Sequence, residues 1–119
     1  FTGQKDAARS MQAFVRVANI ARKNAAETIY LERFHMAEEK ALYQAYTSTK
    51  SAVESLVSGE DFEGAIDALT ELVAPIDAFF DNVMVMDKDE TIRENRLALL
   101  RSVDAVIRDV ADFTKIVSA

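Results

Sequence analysis

The chain has 119 residues, half of them hydrophobic, which is enough for one packed core and too few for two. It contains no cysteine, so a disulfide framework, a thiolate metal site and Cys–His catalysis are all excluded. The formal charge of −6 argues against indiscriminate nucleic-acid binding, but the charge is unevenly spread: residues 1–24 are net +4, residues 25–90 net −11 and residues 91–119 net +1. A polyanion is therefore expected at the first helix, flanked by the last. No apolar run approaches the roughly 20 residues that span a bilayer. The start, Phe1-Thr2-Gly3-Gln4, has neither an initiator Met nor a signal-peptide pattern. The chain is expected to be one domain, residues 1–119, cut from a larger soluble, cytoplasmic protein. With three glycines, one proline and abundant alanine, long helices are expected throughout.

The first helix is predicted from about Asp6 to Lys23. Ala7, Met11, Phe14, Ala18 and Ala21 share one face and are the predicted core contacts. Lys5, Arg9, Gln12, Arg16, Asn19 and Lys23 fall on the opposite face, because seven residues nearly complete two turns. That stripe reads either as an ordinary solvated face or as a surface for an anion. From Asn24 to Ala37 the helical period is lost, and an ordered loop is predicted in which Arg33 and Phe34 anchor on the bundle.

A second helix follows from about Ala37 to Val57, with Leu42, Tyr46, Val53, Leu56 and Val57 inward. Gly59 is predicted to stop it in a left-handed conformation. Asp61 then caps a shorter helix, Phe62 to Val73, with Phe62, Ile66, Leu69 and Leu72 or Val73 inward. Pro75 is placed at the first position of the next helix, where its missing N–H costs nothing. Ile76, Phe79, Phe80 and Val83 then share a face, and Met84 and Met86 are read as packing. Asp87, with Glu90 three residues on, has the spacing of a capping box for a last helix from about Lys88 to Thr114. Ile92, Leu99, Leu100, Val103, Val106, Ile107 and Val110 form its apolar stripe. Arg96 projects into that stripe and needs a buried anionic partner. Asp77 and Asp81 are the expected ones.

No constellation for catalysis emerges. Glu32-Arg33-Phe34-His35 matches the Glu-x-x-His element of di-iron bundles, but such a site needs two copies plus two further carboxylates, and His35 is the sole histidine. The same count removes a Ser-His-Asp triad, and no glycine-rich phosphate loop is present. The residues alone give an all-α bundle of about five helices with one basic flank. Two functions fit that equally. One is a nucleic-acid-binding module. The other is a helical protein-interaction domain without RNA contact, because Ser58 to Leu69 resembles half of a tetratricopeptide repeat, although no second copy lies about 34 residues away.

A family resemblance favours the first. The run Asp77-Ala78-Phe79-Phe80-Asp81-Asn82-Val83-Met84-Val85-Met86 resembles a signature of the C-terminal domain of the bacterial glycyl-tRNA synthetase beta subunit. Ile92-Arg93-Glu94-Asn95-Arg96-Leu97-Ala98-Leu99-Leu100 resembles that family's next block, and Arg16-Val17-Ala18-Asn19-Ile20 its R-V-x-N-I element. The resemblance covers about residues 7–117. It implies the all-helical anticodon-binding fold also found in arginyl-tRNA synthetase, and a role in gripping the anticodon arm of glycine tRNA. It also implies an alpha subunit as partner in a heterotetramer. ATP and Mg would act at that catalytic subunit, with no catalytic residue, metal or cofactor in this segment. Arg16 and Asn19 occupy the R-V-x-N-I positions; Asn82, Arg93, Asn95 and Arg96 occupy the downstream blocks. On physical grounds Arg9, Arg16, Asn19 and Lys23 are the first candidates for tRNA contact, with Arg93 second. Cations would hold phosphates or stack on splayed bases, and the Asn19 amide can read a base edge.

Overall fold

The computed structural model describes the backbone of residues 3–22 and 28–118, and the side chains of residues 9–22 and 28–111. Five α-helices appear among these residues: α1 (Gly3–Ala21), α2 (Ala37–Ser58), α3 (Phe62–Thr70), α4 (Val73–Asn82) and α5 (Glu90–Ser118). A short 3₁₀ turn, Leu31–Arg33, interrupts the connection from α1 to α2. The bundle measures 44 × 28 × 23 Å. The all-α architecture is the predicted one.

α5 is the hub. It packs against α1, α2, α3 and the 3₁₀ turn. Asn95, Arg96, Leu97, Ala98, Leu99 and Leu100 are all buried. Six successive residues cover the full circumference of a helix, so α5 is enclosed on every side along this stretch. Val103, Val106 and Val110 continue its inward stripe. α4 contributes the fully buried Ile76 and Phe79, with Phe80 edge-on to Phe79 at 5.9 Å.

α1 is rotated from its predicted setting. Ala13, Val17 and Ala21 are buried, Phe14 and Ile20 pack at the margin, and Met11 and Val15 are exposed. The predicted contact Met11 is therefore corrected, and Ala7 lies outside the described side chains. α1 carries apolar residues around much of its girth, so periodicity admits more than one inward face. The observed face presents small residues to its neighbours.

α2 runs as predicted, but its end differs. Gly59 has φ −87°, an ordinary value. Glu60 is the left-handed residue, with φ 58°. Its N–H bonds to Val57 O at 3.0 Å, and the Asp61 N–H to Leu56 O at 2.8 Å. This pair of bonds is the Schellman closure, displaced one residue beyond the glycine. Asp61 also caps α3 as predicted, accepting from the Gly64 N–H at 2.9 Å. α3 is shorter than predicted, and Ile66, expected inward, is exposed, while Ala65 and Leu69 fill that position in the core.

α4 begins at Val73, so Pro75 is its third residue rather than its first. The Ile76 N–H makes the first helical bond, to Leu72 O at 2.9 Å, and Pro75 still removes only an N–H that had no helical partner. At Val83 the backbone turns extended (φ −110°, ψ 127°). The side-chain period becomes two: Val83 and Val85 are buried, Met84 and Met86 exposed. The expectation that both methionines pack inside is thereby corrected. α5 is capped by Asp89 rather than Asp87. The Asp89 carboxylate accepts from the Thr91 N–H at 2.9 Å and from the Thr91 hydroxyl at 2.6 Å.

Candidate nucleic-acid interface

The outward edge of α1 carries Arg9, Gln12, Arg16 and Asn19, all exposed. Its two described arginines lean toward α4. Arg9 Nε lies 3.0 Å from Asp77 Oδ2. The Arg16 guanidinium lies 4.3 Å from the centroid of the Phe80 ring, within cation–π range. Arg9 is thus matched by an anion, whereas Arg16 rests on an aromatic ring and pairs with no carboxylate among the described residues. Asn19 stands on the open side of the same edge. Lys23 lies outside the described residues.

Arg93 is not part of this edge. Its Nη1 donates to the carbonyl of Asp87 at 3.1 Å, bracing the turn that leads into α5. Asn82 likewise turns back on its own helix, its amide donating to Ala78 O at 2.9 Å.

Arg96 is buried, but not against its predicted partners. Its Nη2 lies 3.2 Å from Glu39 Oε1. Its Nη1 donates to Met84 O at 2.6 Å and lies 3.5 Å from Asp87 Oδ2. Asp77 pairs instead with Arg9, and Asp81 is exposed. The assignment of Asp77 and Asp81 to Arg96 is corrected for a geometric reason. α4 turns its acidic flank toward α1, while Arg96 faces the start of α2 and the 83–87 connection.

One residue of this interior, Glu39, was not singled out from the sequence, and Asn95 was named there only as a position of a family block. Glu39 is fully buried, and its Oε1 also accepts from the His35 and Met36 N–H groups at 3.1 and 3.0 Å. A Glu at the third helical position reaching back to free N–H groups is the one local signal that marks it. Asn95, also buried, accepts from the Tyr30 N–H at 2.6 Å and donates to the Tyr30 carbonyl at 3.0 Å. Arg96 and Asn95 therefore fasten the two long connections of the fold to α5. They are framework, whereas the α1 edge stands exposed.

Among the described residues no group of His, Cys, Asp or Glu could hold a metal ion. No described helix is long and apolar enough to cross a membrane. An all-α bundle held by an interior Arg96–Glu39 pair and an Asn95–Tyr30 clasp, with exposed arginines along its first helix, has the makeup of a binding module. The family model for the DALR anticodon binding domain matches residues 10–117, and the chain belongs to that family.

Its curated relatives point the same way. The chain is 39% identical over 104 residues to a glycine–tRNA ligase beta subunit of Geotalea daltonii, covering 87% of this chain and 15% of the relative. It is 40% identical over 103 residues to that of Desulforudis audaxviator, with the same coverage. It is 38% identical over 120 residues to that of Moorella thermoacetica, covering 98% of this chain and 17% of the relative. The chain thus spans about a sixth of the length of the relatives it matches. No solved structure matches it.

Proposed function

We propose that this chain is the anticodon-binding segment of a glycine–tRNA ligase beta subunit, and that it grips the anticodon arm of glycine tRNA. The observation that carries this is the anticodon-binding family match across residues 10–117. The relatives' names supply the amino acid. Glycine activation with ATP and Mg belongs to the other parts of such a ligase, with an alpha subunit as partner and the cytoplasm as the site of action. This segment contributes affinity and orientation.

Within that function Arg16 and Asn19 are the first contacts. Arg16 has a charge that no described carboxylate neutralises, held in place by the Phe80 ring. Phosphate contact of this kind gives salt-dependent affinity. Asn19 offers a donor and an acceptor to a base edge. Arg9 joins them by exchanging Asp77 for a phosphate, and Lys23 extends the stripe in sequence. Arg93 is the weakest candidate, since its guanidinium already holds a carbonyl.

The test is fluorescence anisotropy of the chain with glycine tRNA at low salt, against the same tRNA body bearing a swapped anticodon. Tighter binding to the glycine anticodon is the expected result. Equal binding to both would reduce the role to an electrostatic hold on the arm. Absence of binding to either, in the chain and in the intact subunit alike, would overturn the reading.

A further inference from the structure

A second surface takes shape where the 3₁₀ turn meets α2. Asn95 clasps the backbone of Tyr30 through its N–H and its carbonyl, which fixes the turn that follows. Leu31 and Phe34 from this turn, with Lys40, Tyr43 and Gln44 from α2, line a recess of about 300 Å³. Leu31 is 54% exposed, and Lys40 and Gln44 are exposed as well, so the recess opens to solvent. Aromatic rings continue from it along α2. Phe34 meets Tyr43 at 5.6 Å between centroids, and Tyr43 meets Tyr46 at 6.1 Å. Residues 43, 46 and 50 follow one ridge of the helix, and Lys50 Nζ lies 6.0 Å from the centroid of the Tyr46 ring. At the other end the Arg33 guanidinium lies 4.0 Å from the centroid of the Tyr30 ring.

The makeup of this face decides what it can hold. Residues 25–90 are net −11 and contain only four cations. Three of the four, Arg33, Lys40 and Lys50, border the run of rings. All three tyrosines of the chain lie along it too. Among the described residues no carboxylate forms an ion pair with any of these three cations. A second protein domain covering this face would bury about 600–1,500 Å² and would favour a patch poor in lysine. Here the apolar surface is a single recess at the small end of the range for ligand pockets, with a lysine in its lining. Aromatic rings beside flexible cations suit a nucleic-acid base and the phosphates that flank it.

We propose that this recess stacks one unpaired base of the bound tRNA. The proposal rests on the tRNA-binding reading above and adds a contact on α2 to the Arg16–Asn19 edge of α1. Phe34, Tyr43 and Leu31 hold the base by its face. The Gln44 amide offers a donor and an acceptor to its edge. Lys40 and Lys50 hold the adjoining phosphates. Every base has a π face, so stacking is tolerant of sequence. The site therefore selects single-stranded RNA over a duplex and leaves anticodon choice to other residues.

The test compares glycine-tRNA affinity and its salt dependence for the 119-residue chain as wild type, Tyr43→Leu, Tyr43→Phe and Lys40→Gln/Lys50→Gln. Lys88→Gln, at an exposed position away from this face, is the control. Tyr43→Leu should weaken binding about five- to 150-fold, the loss of one stacked base, and leave the slope of log K against log salt unchanged. Tyr43→Phe keeps the ring and should bind like wild type. The double lysine variant should flatten the slope by about 1.4, the loss of two single-strand phosphate contacts. Lys88→Gln should change neither quantity. Tyr43 is half-buried, so every variant is melted alongside. If Tyr43→Leu fails to fold, Leu31→Ser, at a more exposed position, should show a severalfold loss with the slope unchanged. In parallel, a short single-stranded oligoribonucleotide is titrated into the wild-type chain while the ring protons of Phe34 and Tyr43 are followed by NMR. Both should move upfield, and the same strand in a duplex should move neither.

Unchanged affinity in a folded Tyr43→Leu, or in Leu31→Ser where that variant replaces it, would overturn the site while the tRNA reading stands. An equal loss in Tyr43→Phe would overturn stacking. In the intact subunit, Lys40 and Lys50 should be acetylated freely without tRNA and protected with it. Protection before tRNA is added would make this face a seam with the rest of the subunit, and the proposal would fall. If wild type binds no tRNA, that reading fails and the oligoribonucleotide titration decides the recess alone: joint upfield shifts support a base-stacking site, and no shift overturns it.

Discussion

Arg96 and Glu39, 57 residues apart in sequence, meet at 3.2 Å inside the bundle, and each fastens a different connection of the chain. Through Glu39 the pair holds the N–H groups of His35 and Met36. Through Arg96 it holds the carbonyl of Met84. The side chains are 5% and 0% exposed, so neither charge reaches water if the other is removed. Arg96→Ala or Glu39→Ala is expected to destabilise the fold by about 3–5 kcal/mol, the cost of stranding one buried charge. The double variant Glu39→Met/Arg96→Met should lose less than the sum of the two single changes. Urea unfolding measures all of these, and a melting temperature within a degree of wild type in either single variant would remove the pair from the framework.

Asn95 clasps Tyr30 through both backbone groups, as a neighbouring strand would. Asn95→Asp keeps the acceptor for the Tyr30 N–H but turns an acceptor toward the Tyr30 carbonyl. A loss of about 1–3 kcal/mol is expected, the cost of a buried group left unmatched. Hydrogen exchange at the amides of residues 29–33 should accelerate in step. Unchanged exchange there would mean that the segment is held by its side chains instead.

The turn after α2 makes two different predictions for adjacent residues. Glu60 holds φ 58° with a side chain attached, so Glu60→Gly should stabilise by about 1 kcal/mol. Gly59 has φ −87°, and a Cβ there would meet Ser55 O at an ordinary 3.5 Å. Gly59→Ala should therefore be nearly neutral. Chemical denaturation of the two variants distinguishes this turn from one with the glycine in the left-handed seat, for which Gly59→Ala would destabilise and Glu60→Gly would no longer stabilise.

Asp89 titrates below the ordinary carboxylate range, chiefly because the Thr91 hydroxyl, and then the Thr91 N–H, donate to its charged form. A folded-state pKa below the unfolded one means that its cap stabilises α5 above the unfolded value of 3.8 and is lost as pH falls through the folded value. A carbon-detected NMR titration should place the Asp89 midpoint below that of the other exposed aspartates. Thr91→Ala should move it part of the way back, since the backbone donor remains.

Arg16→Ala is expected to weaken glycine-tRNA binding and leave the fold nearly intact. An exposed cation–π contact such as that with Phe80 contributes only about 0.5–1 kcal/mol. Anisotropy and thermal melting on the same preparation separate the two effects. A large loss of stability with unchanged binding would make Arg16 a brace for α4 and nothing more.

Much of the fold was legible because the signals are local. The apolar period of α2 and α5, the Asp61 cap and the loss of helical period over residues 28–36 each depend on residues within one or two turns of one another, as does the exposure of Arg16 and Asn19. The inward face of α1 was not legible, because an alanine-rich helix carries apolar side chains around much of its girth and only its neighbours select among them. The seat of the left-handed residue slipped by one, from Gly59 to Glu60, because the bonds from Glu60 and Asp61 set the turn and outweighed the preference of glycine for that conformation. The partner of Arg96 lay furthest out of reach. That Arg96 must be buried and paired follows from its place in the α5 stripe, since a lone buried charge is costly. That Glu39 rather than Asp77 meets it depends on which way α4 turns its acidic flank. Composition and periodicity alone thus determined an all-α bundle with its cations gathered at the ends of the chain. Which charges neutralise each other, Arg96 with Glu39 and Arg9 with Asp77, was decided only when helix packing set distances between residues that share no local pattern.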